Sequence, residues 1–163
     1  IGLSGADANV VPAVRRSPVP IDFGFVGDID SSKINSDFIA TLLEAGVAPV
    51  FCAITHDGEG SLLNSNADSV ASAVAVAAAR IAPTDMHFCL EKLGVLRDVE
   101  DEDSLIAEIR PDSYRELRET GVVNKGMIPK IDNAFRAVEA GVQSVTIKHS
   151  DNLLSNKGTV IKL

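Results

Sequence analysis

Two rhythms of apolar and polar residues run along this chain. Phe38, Ile39, Leu42 and Leu43 recur at helical spacing, which predicts a helix over 37–45, capped by Asn35 or Ser36 and stopped by Gly46. Residues 47–54 form a continuous apolar run between turn formers, the pattern of a short strand buried on both faces. A polar loop over 55–60 follows. Residues 67–81, rich in Ala and Val, then read as a helix able to lie close on a sheet, and 86–90 as the next buried strand. Pro111 introduces a short helix over 112–119 that Gly121 ends. A longer helix over 127–140 stops at Gly141, a strand covers 142–147, and Gly158-Thr159-Val160-Ile161 closes the chain. Nearer the start, Val10-Val11 and 23–26 read as extended pieces of a hairpin-like excursion across residues 12–20, with Arg15-Arg16 at a basic tip.

Strands alternating with helices predict an α/β fold of three αβα layers, with a mostly parallel sheet and helices on both faces. With 163 residues, 45% of them hydrophobic, the chain suits a single domain over 1–163, and no repeat or low-complexity linker divides it. The net charge of −8 argues against nucleic acid and membrane surfaces as partners, since both reward clustered Lys and Arg. The longest apolar run, 70–79, is broken by Ser72 and far shorter than a span needs, and the start, at Ile1 rather than a methionine, carries no signal-peptide pattern. Cys52 and Cys89 fall inside predicted buried strands and read as small core residues; the acidic run 100–103 reads as a solvated loop.

Ligands of such sheets bind outside the carboxyl ends of the strands, so the informative residues follow positions 54 and 90 and fill 121–130. Asn64-Ser65-Asn66-Ala67-Asp68 opens one helix and Gly126-Met127-Ile128-Pro129-Lys130 opens another. A helix start offers unpaired N–H groups and a positive dipole end, so Lys130, one turn past Gly126, is placed to reach an anion there. Asp68 suits a residue that orients a lysine, and Asn64 one that binds a substrate group. Both segments also have a plain structural reading: Asn66 as cap with Asp68 complementing the dipole, and Pro129 in a first turn where its missing N–H matters little. Asn124 and Lys125 add donors around the second opening, and Glu91 to Leu96 leave a strand where a nucleotide would lie or where an ordinary surface exit would run. His56, His87 and His149 have neither zinc-ligand spacing nor an evident nucleophile beside them, so no protein-held metal is expected.

The segments 2–9, 46–50, 63–68, 94–98, 126–130 and 158–161, in this order, resemble the N-acetylglutamate kinases of the amino-acid kinase family; Asn-x-Asn-Ala-Asp and Gly-Met-Ile-Pro-Lys are the specific part. The likeness covers essentially the whole chain but only the C-terminal, nucleotide-binding portion of the usual enzyme. The resemblance implies a cytoplasmic enzyme of arginine biosynthesis that transfers the γ-phosphoryl group of ATP, with Mg²⁺ bridging its phosphates, to the side-chain carboxylate of an N-acylglutamate. By that likeness Lys130 and Asp68 are catalytic, and Asn64 and Asn66 bind substrate. Glu91, Lys92, Gly94, Val95, Leu96, Val122, Val123, Asn124, Lys125, Gly126 and Met127 line the nucleotide. The residues 55–58 are similar to a branch that uses a succinyl in place of an acetyl group. Three departures stand out: Leu90-Glu91 where relatives carry a small hydroxyl residue and Asp, Lys125 where many have Gly, and no counterpart of the family's N-terminal lysine, Gly-Gly phosphate loop and substrate arginine. This chain alone is therefore not expected to complete a turnover, and the full-length enzyme is expected to be a homo-oligomer. A non-catalytic nucleotide-binding module, or a kinase of the same family acting on aspartate, carbamate or a nucleotide monophosphate, are the alternatives.

Overall fold

A computed structural model of the chain describes residues 1–123 and 126–163, and these group into two compact units, Ile1–Pro83 and Thr84–Leu163. In the first, β1 (Gly2–Leu3) precedes the strands β2 (Ala13–Arg15) and β3 (Gly27–Ile29), then α1 (Ser36–Glu44), β4 (Val50–Phe51), β5 (Ile54–His56), β6 (Leu62–Asn64) and α2 (Ala67–Ala79). β1 and β4 are parallel, while β2/β3 and β5/β6 are antiparallel pairs joined by bridges of Pro12 to His56 and of Val26 to Asn64. The hairpin excursion expected near the start is thus present, displaced a few residues from the predicted pieces. Val10 and Val11 are core residues before β2, wholly buried against Ile34, Ile39, Ala73 and Ala77.

Local chemistry accounts for both helices. Asn35 caps α1 by accepting from the Phe38 N–H at 3.0 Å, and Gly46, at φ +73°, ends it in a conformation that favours glycine. On α2, Val70, Ala73 and Ala77 form the buried stripe, and the small side chains let α1 pack close.

The second unit holds β7 (Asp85–Leu90), β8 (Glu108–Ile109), α3 (Pro111–Glu119), α4 (Ile128–Glu139), β9 (Ser144–His149) and β10 (Thr159–Ile161). Its sheet has the order β7-β9-β10-β8, with β7/β9 and β8/β10 parallel and β9/β10 antiparallel. Ile131, Ala134 and Phe135 of α4 are buried, and α4 packs on β9 and β10, where Val145, Ile147 and Ile161 are wholly enclosed. Burying each such branched side chain contributes about 1.5–3 kcal/mol.

Three expectations fail. The run 47–54 is not one strand buried on both faces: it breaks into β4 and β5, and Val50 is 66% exposed. β4 pairs with β1 through two residue pairs, so little of the run is enclosed by neighbours. Strand β7 likewise alternates, burying Met86 and Phe88 while Asp85, His87 and Cys89 face outward. For the same reason Cys52 and Cys89 are exposed free thiols rather than core residues. The acidic run is exposed as expected, with Asp101 capping a short 3-10 turn at Glu102–Ser104.

Candidate functional site

The second unit gathers an apolar cavity of about 110 Å³ at the carboxyl end of β7. Leu90, Lys92, Gly94, Val95, Leu96, Val99, Val122, Val123 and Met127 line it. Seven of the residues expected around a nucleotide (Lys92, Gly94, Val95, Leu96, Val122, Val123 and Met127) are thereby brought together. Glu91 is exposed and outside the lining, and Gly126 sits in an exposed turn before α4. Asn124 and Lys125 lie outside the described residues.

The turn that walls this cavity is held from behind by one buried hydroxyl. Thr159 Oγ1 accepts from the Val95 N–H at 2.8 Å and donates to the Ile106 carbonyl at 2.7 Å, and Thr159 is wholly buried. The Ile106 N–H in turn donates to the Val95 carbonyl at 2.9 Å. Gly94 must be small, because a Cβ there would lie 2.7 Å from Thr159 Oγ1 and 2.8 Å from Leu105 Cδ1. On the other wall, the Val123 N–H donates to the Leu117 carbonyl at 3.2 Å and ties the segment after α3 back to that helix.

Lys130, in the first turn of α4, is half-buried and holds its Nζ 4.4 Å from the centroid of the Phe88 ring, a cation–π contact. Phe88 and Leu90 stand on the same face of β7, two residues or about 7 Å apart along the strand. The Lys130 ammonium thus stands over Phe88, two residues along β7 from Leu90 of the cavity wall and three residues along the chain from Met127 of that wall. Pro129 occupies the first turn of α4, where its missing N–H leaves no helical hydrogen bond unmade.

The first unit carries the remaining expected site residues. Asn64 ends β6 with its side chain exposed and its backbone N–H donating to the Phe25 carbonyl at 2.8 Å. Asn66 caps α2, its Oδ1 accepting from the Ser69 N–H at 3.1 Å, so its side-chain oxygen serves the helix. Asp68 is half-buried in the first turn of α2. Ser65 between them is structural: its Oγ donates to the Gly27 carbonyl at 2.9 Å and meets Thr55 Oγ1 at 2.9 Å.

Of the three histidines, His56 is buried with Nδ1 accepting from the Gly58 N–H, His87 is exposed, and His149 caps the 3-10 turn Ser150–Asn152. No group of three His, Cys, Asp or Glu able to hold a metal ion gathers among the described residues. Among them, too, no helix is long and apolar enough to cross a membrane.

Sequence reasoning missed Val99 and the holding role of Thr159. Val99 lies in an irregular turn and is itself exposed, so no apolar period marks it. Thr159 sits in the Gly158–Ile161 segment and gives no local sign that its hydroxyl is aimed at residues 95 and 106. Leu90, noted only as a departure from relatives, turns out to be an apolar wall of the cavity.

The pattern of the amino acid kinase family matches residues 1–149. The chain is 45% identical over 162 residues to an acetylglutamate kinase of Phocaeicola vulgatus and 50% identical over 156 residues to one of Cytophaga hutchinsonii. Those alignments take in 99% and 94% of this chain but 62% and 58% of the relatives, so the chain spans about three fifths of their length. Among solved structures, smu.665 of Streptococcus mutans is similar with a TM-score of 0.79 and 33% identity, over 99% of this chain and 60% of that one. A carbamate kinase of Giardia shares the fold alone, with a TM-score of 0.62 and 16% identity over 99% of this chain and 61% of that one. With an α/β architecture and a family pattern that runs through nearly all of its length, the chain belongs to the amino acid kinase family.

Proposed function

We propose that this chain is the nucleotide-binding portion of an N-acylglutamate 5-kinase, which passes the γ-phosphoryl group of ATP to the side-chain carboxylate of N-acetyl-L-glutamate. One observation supports the reading above the rest: the Lys130 ammonium stands over Phe88, two residues along β7 from Leu90 of the apolar cavity. A base needs an apolar slot and the phosphates need fixed positive charge, and here β7 contributes Leu90 to the first and carries Phe88 under the second. Phosphoryl transfer through a loose transition state needs positioning and charge, with little covalent chemistry from the protein.

In this reading Leu90, Val95, Leu96, Val122 and Val123 enclose the base, and Lys130 bears on the transferred phosphoryl. Asp68 is the organising carboxylate and Asn64 holds the substrate's α-carboxylate. Asn66 is assigned with Asn64 through its amide N–H₂ group, since its oxygen caps α2. Magnesium suits the described residues as a cation carried on the nucleotide, because magnesium is commonly held by substrate phosphates with one or two carboxylates. It would screen phosphate charge, while the protein side chains orient the two reactants.

The test is kinetic. In the full-length protein Lys130→Ala should lower kcat on the order of 10²- to 10³-fold, the usual scale for one lost transition-state donor. Acyl phosphate formed from N-acetyl-L-glutamate or N-succinyl-L-glutamate is trapped with hydroxylamine, which also decides the acyl group. An unchanged kcat removes Lys130 from the chemistry.

A further inference from the structure

We propose that Tyr114 is a positioning residue: through Asp132 it fixes the first turns of α4 and so sets where the Lys130 ammonium stands. The inference rests on the phosphoryl-transfer role of Lys130 given above.

Tyr114 projects from α3 and is 8% exposed. Its hydroxyl lies 2.7 Å from Asp132 Oδ1 and 3.3 Å from the Ile128 carbonyl. A phenol carries one proton, so the short contact to the carboxylate is the charge-assisted hydrogen bond and the carbonyl is the longer second acceptor. Ile128 and Asp132 stand four residues apart on one face of α4, and Lys130 lies midway between them. Two residues turn about 200° around a helix, so the hydroxyl grips the side of α4 turned away from the lysine. The grip is stiffened by packing: the Tyr114 and Phe135 ring centroids are 5.4 Å apart, and the Arg118 guanidinium carbon lies 5.5 Å from the Tyr114 ring centroid.

Pro129 supplies no backbone N–H to the start of α4, and Met127 at the cap position provides no side-chain oxygen. Tyr114 thus adds a hold on the first turns of this helix from α3. A displacement of about 1 Å at a catalytic group can cost 10²-fold in rate, so a partial shift of α4 should be visible in turnover.

Tyr114→Phe keeps the ring and removes only the hydroxyl. In the full-length protein it should lower kcat about tenfold, with KM for the N-acylglutamate unchanged. Asp132→Asn, which keeps an acceptor oxygen, should retain most of the rate, whereas Asp132→Leu should match Tyr114→Phe. The deciding measurement is the same Tyr114→Phe change in a Lys130→Ala background, where it should cause no further loss because the group it positions is gone. An equal fold-loss in both backgrounds, or no loss beside an intact Lys130, overturns the positioning role while leaving Lys130 its part in the chemistry. No effect of Lys130→Ala alone sinks that part, and the positioning role with it.

A second readout needs no turnover: the alkaline difference spectrum of the full-length protein against its Tyr114→Phe variant isolates the phenol of Tyr114, the one tyrosine of these 163 residues. Burial, and then the bond to Asp132, pushes its hydroxyl up to about 12 from the ordinary 10. The neutral phenol is the form that binds Asp132, so the contact is complete below about pH 10 and is lost as pH rises through about 12. Phenolate absorbance should therefore rise late in the native chain and earlier in Asp132→Leu. Coincident titrations would show that the hydroxyl does not bear on Asp132.

Discussion

Thr159→Val tests whether one buried hydroxyl holds the wall of the cavity. The substitution keeps the branched shape and replaces Oγ1 by a methyl group in a wholly enclosed position. It strips the Val95 N–H of an acceptor at 2.8 Å and the Ile106 carbonyl of a donor at 2.7 Å. A buried donor left without a partner costs about 1–3 kcal/mol, and the lost bond to Ile106 adds about 1 kcal/mol. The extra apolar group returns about 0.8 kcal/mol, so the net loss is about 1–3 kcal/mol. Thr159→Ser is the control: it keeps both hydrogen bonds and deletes one methyl, for about 1 kcal/mol. Urea unfolding at constant m-value should rank the wild type first, Ser second and Val last. The Val variant should also bind ATP more weakly, because Val95 and Leu96 wall the cavity, while the Ser variant should bind as before. A Val variant as stable as the wild type, or more stable than Ser, would show that the hydroxyl does not organise the turn.

Two further outcomes follow from the first unit and from the thiols. In Gly27→Ala the new Cβ would sit 2.9 Å from Leu63 Cβ, Ser65 Oγ and Thr55 Oγ1 at once, so stability should fall by about 2–3 kcal/mol on thermal or urea unfolding; a neutral effect would mean that β3 is not packed against β5 and β6. Cys52 and Cys89 should both react with a disulfide reagent in the native chain, without denaturant, and a thiol that stays silent until unfolding would contradict their exposure.

Patterns that depend only on neighbours along the chain were readable from the residues themselves. The helix of Phe38 to Leu43, its Asn35 cap and its Gly46 stop, and the first turn of α4 with Pro129 in it are set by side chains within a turn of one another. So were the polar helix starts and the exit of a strand at Gly94 to Leu96, whereas Val122, Val123 and Met127 were expected at the site through the family resemblance. What only the tertiary structure decided depends on partners far away in sequence. An apolar run such as 47–54 states that burial is favourable, but whether neighbours cover both faces is settled by strand pairing, and here Val50 and Cys52 are left outside. Thr159 reaches residues 95 and 106, and Tyr114 reaches Asp132, through hydrogen bonds whose direction no local periodicity encodes. Short-range hydrogen bonding and side-chain spacing fix the elements; the choice of which polar group meets which across the fold belongs to packing alone.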